Sequence, residues 1–466
     1  MKNMTLCNTC LFASLVTLAA APALAQKQSP PEGGPAKAFT VPAHETYSLP
    51  NGMKVTLVPY GEIPKVTVSV SLDAGAIDEG KDHVGVAGLT SDLMQEGTDK
   101  LTSQQLADAA GRMGSALSVT AGNDETDAQL DVLSEFGPDA ARLLADVIEH
   151  PRLPESELAR LKNNKLREIA VASARPQTIA AIHFRKILYG DHPYAIVLPT
   201  NEDVQKITLQ DIKGFVAANF SPQRAHIYVA GRFDAAAMKH AIAEGFGAWP
   251  KSDAARVPNP PSPAPHRVLD VTDRPGAPQS TIIVGLPVIP PNSPDAIPFS
   301  VANTLLGGSF NSRITANIRE QKGYTYSPFG VISSRYHDSF WEEQADVTTK
   351  FTGPSIHEIL AEIKRLSSEP PTAQELKGIQ NYLSGLFIIR NSNRGALISQ
   401  LQNVDFQGLG DDYLKTYVAK VNAVTPEDVE KMTAQYIKPQ QLTIVVVGDK
   451  SKISEQLTSY ESGDEQ

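Results

Sequence analysis

The segment from Gly85 to Thr98, GVAGLTSDLMQEGT, sets Gly88, Ser91 and Asp92 at positions i, i+3 and i+4. On a helix that spacing brings the three onto one face. Two histidines at i and i+4 would reach a single metal ion from such a face, and a glutamate just before the second would activate the water bound to it. In this chain the glycine offers no ligand atom, and Ser91 lacks the basicity to take a proton from water near neutral pH. Asp92 remains as a lone carboxylate. A catalytic zinc takes three protein ligands, two of them usually nitrogen, so the helix is read as unable to hold one and no metal is expected in this chain.

A second stretch, LLGGSFNSRITANIREQKGYTYSPFG from Leu305 to Gly330, brings together Gly307, Gly308, Arg319, Tyr324 and Tyr326. Arginine presents several fixed donors to peptide carbonyls, and a tyrosine hydroxyl can stabilise a developing oxyanion without giving up its proton. Paired glycines permit close backbone approach, which suits an extended peptide. Spacing alone equally allows an ordinary helix and hairpin with Arg319 paired to Glu320. Elsewhere, Glu168 in LKNNKLREIA reads either as a leftover ligand or as a surface glutamate beside Lys165 and Arg167, and Glu96 and Glu125 have no better claim. None of the 10 histidines forms a His-x-x-x-His pair. His83 leaves open a displaced site with Asp92 and Glu168, whereas His192 in GDHPYA reads as a hydrogen-bonded turn residue.

The elements that would position these residues show an internal duplication. ITLQDIKGFVAANFSPQRAHIYVAG, Ile207 to Gly231, aligns without a gap with VTPEDVEKMTAQYIKPQQLTIVVVG, Val424 to Gly448. Each copy runs from a Thr-x-x-Asp helix start through a 3.6-period apolar stretch to a proline, then to a short apolar strand closed by glycine. Working back, the first half opens on the alternating Val66, Val68, Val70 and Leu72, and the second on QSTIIVGLP, Gln279 to Pro287, with a helix around Pro298 to Leu306. An amphipathic helix pair recurs later in each half. Strands and helices do not alternate strictly, which favours α+β, with two homologous layered domains, over a doubly wound parallel sheet. The boundaries expected are 41–248 and 269–455 for the domains and 249–268 for a Pro-rich linker, with a polar tail at 456–466.

The segment 85–98 resembles the zinc-site helix of the pitrilysin/insulinase peptidases, a family that includes the mitochondrial processing peptidases and typically reads G-x-A-H-x-x-E-H-x-x-x-x-G-T. Laid on that pattern, the histidines fall on Gly88 and Asp92 and the catalytic glutamate on Ser91. The resemblance covers nearly the whole chain beyond the leader and implies a clamshell half built from the two domains. It also implies that Glu168 stands at the distance of the third zinc ligand. In the family an arginine and a tyrosine seven residues apart line the cleft and contact substrate near the scissile bond; the match assigns these to Arg319 and Tyr326, with Tyr324 as rival. Some family members work as two chains, one bearing the zinc motif and the other supplying cleft surface. This chain resembles the second kind, which implies a zinc-bearing homologous partner and a peptide substrate. The alternatives are a non-catalytic structural or chaperone-like member, and an independent metallopeptidase with an atypical site.

Residues 1–25 read as a secretory signal, with Lys2, an apolar core from Leu11 to Leu24 and cleavage after Ala25; residues 26–40 read as a flexible leader. The apolar run is shorter than the roughly 18–20 residues that span a bilayer, so no membrane span is expected after cleavage, and the protein is expected in the periplasm or outside the cell. Both cysteines, Cys7 and Cys10, fall in the signal. Loss of residues 1–25 removes one lysine and no acid, moving the net charge from -10 to -11. That balance argues against nucleic acid as a partner.

Overall fold

The computed structural model describes residues 40–252, 265–410 and 412–461. The expected signal, nearly all of the leader, the middle of the linker and residues 462–466 lie outside the described residues.

The first sheet is built from β1 (Glu45–Ser48), β2 (Lys54–Pro59), β3 (Lys65–Leu72), β4 (Ser118–Ala121), β5 (Thr126–Leu133) and β6 (Ala225–Gly231), in the order β1-β2-β6-β3-β5-β4. The second contains β7 (Val268–Asp273), β8 (Gln279–Val288), β9 (Phe329–Arg335), β10 (Asp338–Thr348) and β11 (Thr443–Gly448), in the order β7-β11-β8-β10-β9. In both, the last strand of the half inserts between two earlier ones. β6 runs parallel to β2 and antiparallel to β3, just as β11 runs parallel to β7 and antiparallel to β8. Mixed sheets with helices to either side are α+β layering.

The duplicated endings also match bond for bond. Thr208 caps the helix Leu209–Asn219 by accepting from the Asp211 N–H, while the Asp211 carboxylate accepts from the Thr208 N–H at 2.7 Å. Thr425 and Asp428 do the same for the helix Pro426–Tyr436, at 3.1 and 2.9 Å. Such reciprocal caps satisfy two otherwise orphaned donors and are worth about 1 kcal/mol each.

The inner strands β6 and β11 are buried on both faces, which accounts for their largely apolar runs. Ile227 and Val229 face the core of the first half, while Tyr228 and Ala230 face the opposite way, as the period of two demands. What covers that opposite face comes from the other half. The helix Arg394–Gln407 lays Leu397, Ile398, Leu401 and Val404 against Tyr228, Ala230 and Val58. Reciprocally, the helix Pro176–Tyr189 of the first half lays Ala180, Phe184 and Leu188 against Ile283, Phe340, Val445 and Val447 of the second sheet.

Polar anchors fix each crossing. Arg394 donates to Asp131 at 3.1 Å, Gln402 to Asp127 at 2.9 Å, and the Tyr228 hydroxyl to Asp405 at 2.6 Å. On the other side Gln177 donates to Asp346, His183 bonds Asp270, and Tyr189 donates to Asp338, each at 2.7 Å. Strand glycines make room for both helices. A Cβ on Gly285 would lie 2.6 Å from Phe184 Cζ, and one on Gly231 would lie 2.8 Å from Arg394 Cδ.

Three domain edges differ from the sequence reading. Trp249, assigned to the linker, is buried against Phe246, and its carbonyl accepts from Asn51, so it closes the first core. Val268 already opens β7. The segment expected as a polar tail from 456 begins inside the helix Lys450–Glu461, which buries Leu457 and Tyr460 in the second core. Ile453, Leu457 and Tyr460 stand at i, i+4 and i+7, a helical signal that the polar residues between them outnumber.

Candidate functional site

The helix Val86–Met94 carries Gly88, Ser91 and Asp92. Its N-terminus is held by Glu79, whose carboxylate accepts from the Gly85 N–H at 2.8 Å and the Ala87 N–H at 2.9 Å. These are donors the helix itself cannot satisfy. Burial pushes the Glu79 carboxyl up to about 7, with the two N–H bonds opposing.

Within the helix, the Ser91 hydroxyl donates to the Gly88 carbonyl at 2.8 Å and is spent on the backbone. A Cβ on Gly88 would meet open space. Asp92 lies 3.9 Å from the Lys165 ammonium, and Lys165 lies 2.8 Å from Glu168. The fold therefore does bring Glu168 to Asp92, on the helix Glu155–Ser173, but a lysine joins them. Burial raises the Asp92 carboxyl above its ordinary range, Lys165 pulls it back, and Glu168 adds to the rise. Glu96 is bound by Arg160 at 2.5 Å, and Glu125 accepts from Ser71 at 3.1 Å.

His83 turns away from this cluster and pairs with Asp211 at 3.3 Å, so the displaced set of His83, Asp92 and Glu168 is not assembled. Among the described residues no group of three or more His, Cys, Asp or Glu side chains gathers as a metal ion would need. Zinc does not fit here on chemical grounds. The helix offers one carboxylate where two nitrogens are wanted, and the Lys165 ammonium already pairs with Asp92 and Glu168. His192 caps the short turn Pro193–Ala195 through its ring nitrogen, which accepts from the Tyr194 N–H at 3.1 Å.

The second segment is arranged differently. Arg319 sits in a π-helical turn, Thr315–Gln321, a rare geometry that recurs at functional sites. Its guanidinium carbon stands 4.1 Å from the Phe310 ring centroid and 5.0 Å from that of Tyr326, and its Nε pairs with Glu320 at 3.1 Å. Both rings face solvent, Phe310 at 64% and Tyr326 at 79% of full exposure. Tyr324, two residues away, instead stacks on Phe351 at 4.3 Å and is partly buried in the second core. Between the two tyrosines, Thr325 is tied down by a bridge to Val347, its hydroxyl donating to the Asp346 carbonyl at 2.7 Å. Arg319 and Tyr326 are thus brought together and Tyr324 is not.

Phe310 was missed by sequence reasoning. The signal was an aromatic placed inside a Gly-Gly-Ser turn, where the local pattern gives it no core to join.

The two glycines have a reason inside the chain. A Cβ on Gly307 would stand 1.9 Å from a carboxyl oxygen of Glu343, and one on Gly330 would stand 2.6 Å from the same oxygen. Glu343 is fully buried in β10, neither of its oxygens has a hydrogen-bond partner among the described residues, and burial holds its carboxyl well above the usual range. A Cβ on Gly308 would meet Asn303 Nδ2 at 2.8 Å. The pair makes room for side chains of its own chain, which differs from the reading that the room is for a peptide.

With this geometry in hand, the chain can be set beside known proteins. Residues 55–200 match the model of insulinase, peptidase family M16, and residues 206–383 match that of the peptidase M16 inactive domain. An uncharacterized zinc protease of Bacillus subtilis, YmxG, is 23% identical over 400 residues, covering 84% of this chain and 94% of that protein. A Helicobacter pylori protein named as a non-peptidase homolog is 21% identical over 396 residues, covering 84% and 90%. A solved peptidase M16 inactive domain from Pseudomonas fluorescens superposes with a TM-score of 0.80 at 23% identity, covering 87% of this chain and 98% of that one. The first model stays within the first half, the second runs from the end of that half across the linker into the other, and because together they cover more than half of the chain, it belongs to the insulinase (M16) peptidase family.

Proposed function

We propose that this chain is a catalytically incomplete member of the family, a subunit that holds a peptide on the face made by Phe310, Arg319 and Tyr326 while a homologous chain bearing zinc supplies the hydrolytic chemistry. One observation carries the reading: an arginine guanidinium clasped between two solvent-facing aromatic rings. Exposed rings gathered into one patch, unlike single exposed side chains, mark surfaces that bind a ligand or partner. The guanidinium has donors for peptide carbonyls beyond the nitrogen engaged by Glu320, and the Tyr326 hydroxyl is free to turn toward an oxygen that gains charge. Stacking between the rings narrows the rotamers of Arg319 before a peptide arrives, which lowers the entropy cost of binding.

The test is reconstitution. Purified alone, the protein is expected to cleave no peptide; with a homologous chain carrying an intact zinc motif, cleavage appears. Arg319→Ala or Tyr326→Phe then lowers turnover by roughly 10²- to 10³-fold, the usual loss for one oxyanion donor. Wild-type rates from both variants would reject the assigned roles. A second reading, a structural or chaperone-like member, draws support from the inactive-domain model and from the name of the H. pylori relative. It requires both side chains to be dispensable, so the same variants separate the two.

Export to the periplasm or beyond, after cleavage following Ala25, belongs to the same proposal and rests on the leader sequence. No helix of the described residues is long and apolar enough to cross a membrane.

A further inference from the structure

Building on the peptide-holding reading, we infer that the hollow beside Phe310 is a subsite for one large apolar side chain of the bound peptide. The cavity, of about 320 Å³, lies between the turn that follows Gly308 and the helix Ala373–Arg390, and is walled by Leu305, Phe310, Ile379 and Tyr382. That volume is at the small end for ligand pockets and suits a single side chain with its adjoining main chain.

Phe310 belongs to both places. One side of its ring meets Arg319, and the residue also lines the cavity, so a peptide crossing the Arg319–Tyr326 face passes the mouth of the hollow. Across the mouth, Tyr382 is 47% exposed, another large ring left in water.

Gly378 stands four residues before Tyr382 and so on the same helical face. It occupies the interior of a helix of 18 residues, where glycine is among the poorest choices. Close packing does not explain it, because a Cβ at this position would meet nothing within 4 Å. What the missing side chain does is leave the cavity, which Gly378 lines, open.

Two polar atoms on the wall lack partners within the described residues. Arg313 pairs with Glu375 through Nε at 3.2 Å and Nη2 at 3.4 Å, yet its Nη1 is buried without a hydrogen bond, as is the Ser309 hydroxyl. Glu375 is itself held in place by capping the helix through Thr372. The salt bridge leaves this wall without net charge, which favours a neutral occupant.

The experiment uses the full chain and a panel of fluorescent peptides identical except at one position, set in turn to Ala, Leu, Phe or Lys, with affinity read by polarisation. At one register the Leu and Phe peptides are expected to bind roughly 10- to 100-fold more tightly than the Ala peptide, the gain from burying one large side chain. Gly378→Leu fills the hollow from a position open to a side chain and erases that preference, leaving the Ala peptide within about 3-fold of wild type; its melting temperature is expected at or above wild type. Tyr382→Ala removes the opposite wall and weakens the same preference. Arg319→Ala, by contrast, weakens every peptide alike. A preference retained in both wall variants, or none in the wild type, overturns the subsite and leaves the peptide-holding reading standing. A wild-type chain that binds no peptide overturns both.

Discussion

Placing a zinc motif on the helix Val86–Met94 tests whether Lys165 holds the position a metal cation would take there. The perturbation is Gly88→His, Ser91→Glu and Asp92→His, made with and without Lys165→Met. Space is available at position 88, since a Cβ there meets nothing within 4 Å. The obstacle is the Lys165 ammonium, which pairs with Glu168 at 2.8 Å and reaches position 92 at 3.9 Å. Two unit charges about 4 Å apart interact by about 4 kcal/mol near a protein surface. The lysine side chain is 26% exposed and can swing outward, so part of that repulsion will relax. We expect about 1.5–3 kcal/mol to remain, or roughly 10- to 100-fold in zinc affinity. Methionine keeps most of the apolar stem that packs there while removing the charge. Affinity is measured by competition with a chromogenic chelator, and coupling to the fold by the zinc-dependent rise in melting temperature. The triple variant is expected to bind zinc weakly and the quadruple variant 10- to 100-fold more tightly. Equal affinities in the two backgrounds, or matching zinc affinity in the wild type, would refute the idea that the ammonium occupies the role of the cation.

Three further outcomes follow from the packing. Gly307→Ala forces a methyl to 1.9 Å from a Glu343 oxygen and is expected to cost about 3 kcal/mol by urea unfolding, with Gly307→Ala/Glu343→Ala coupled by at least about 1 kcal/mol; additive effects would place the clash elsewhere. Because the Glu79 carboxyl is raised to about 7, the folded state binds the proton more tightly than the unfolded chain between about pH 4.5 and 7, so this group's contribution to stability falls as pH rises through that window and is flat above it. From pH 5 to pH 8 the wild type is expected to lose up to about 3 kcal/mol more than Glu79→Gln, and parallel pH profiles would count against it. Phe184→Ala removes a fully buried ring from the crossing helix and is expected to cost about 3–5 kcal/mol, with hydrogen exchange rising in β8 and β11 of the other half; exchange confined to the helix itself would argue against the coupling.

Local features were the most legible in the sequence. The Thr-x-x-Asp starts at Thr208 and Thr425 announced two helices because a capping box acts within four residues. That Gly88, Ser91 and Asp92 share a face was equally plain, since helical spacing alone tells which residues do. Pairings across long stretches of chain were not. The apolar stripe of Ala180, Phe184 and Leu188 says that a helix must be covered, but not that the cover is a sheet completed by residues 443–448. Glu343 lies in a strand whose neighbours Glu342 and Gln344 are polar, so nothing in the alternation marks it as buried. Without Glu343 in view, Gly307 reads as a place for a peptide instead of a place for a carboxyl. Lys165 was visible as a neighbour of Glu168, one helical turn away, while Asp92 is 73 positions earlier and only the fold joins them.

The exchange of helices between the halves bears on how the molecule can be taken apart. A protease cut between residues 252 and 265 would sever the covalent link yet leave each fragment gripping the other through a full helix, so the nicked protein should migrate as one particle until denatured. Either half made by itself would display a bare β-surface where its counterpart's helix belongs, and is expected to precipitate; made together as separate polypeptides, the two should recover each other.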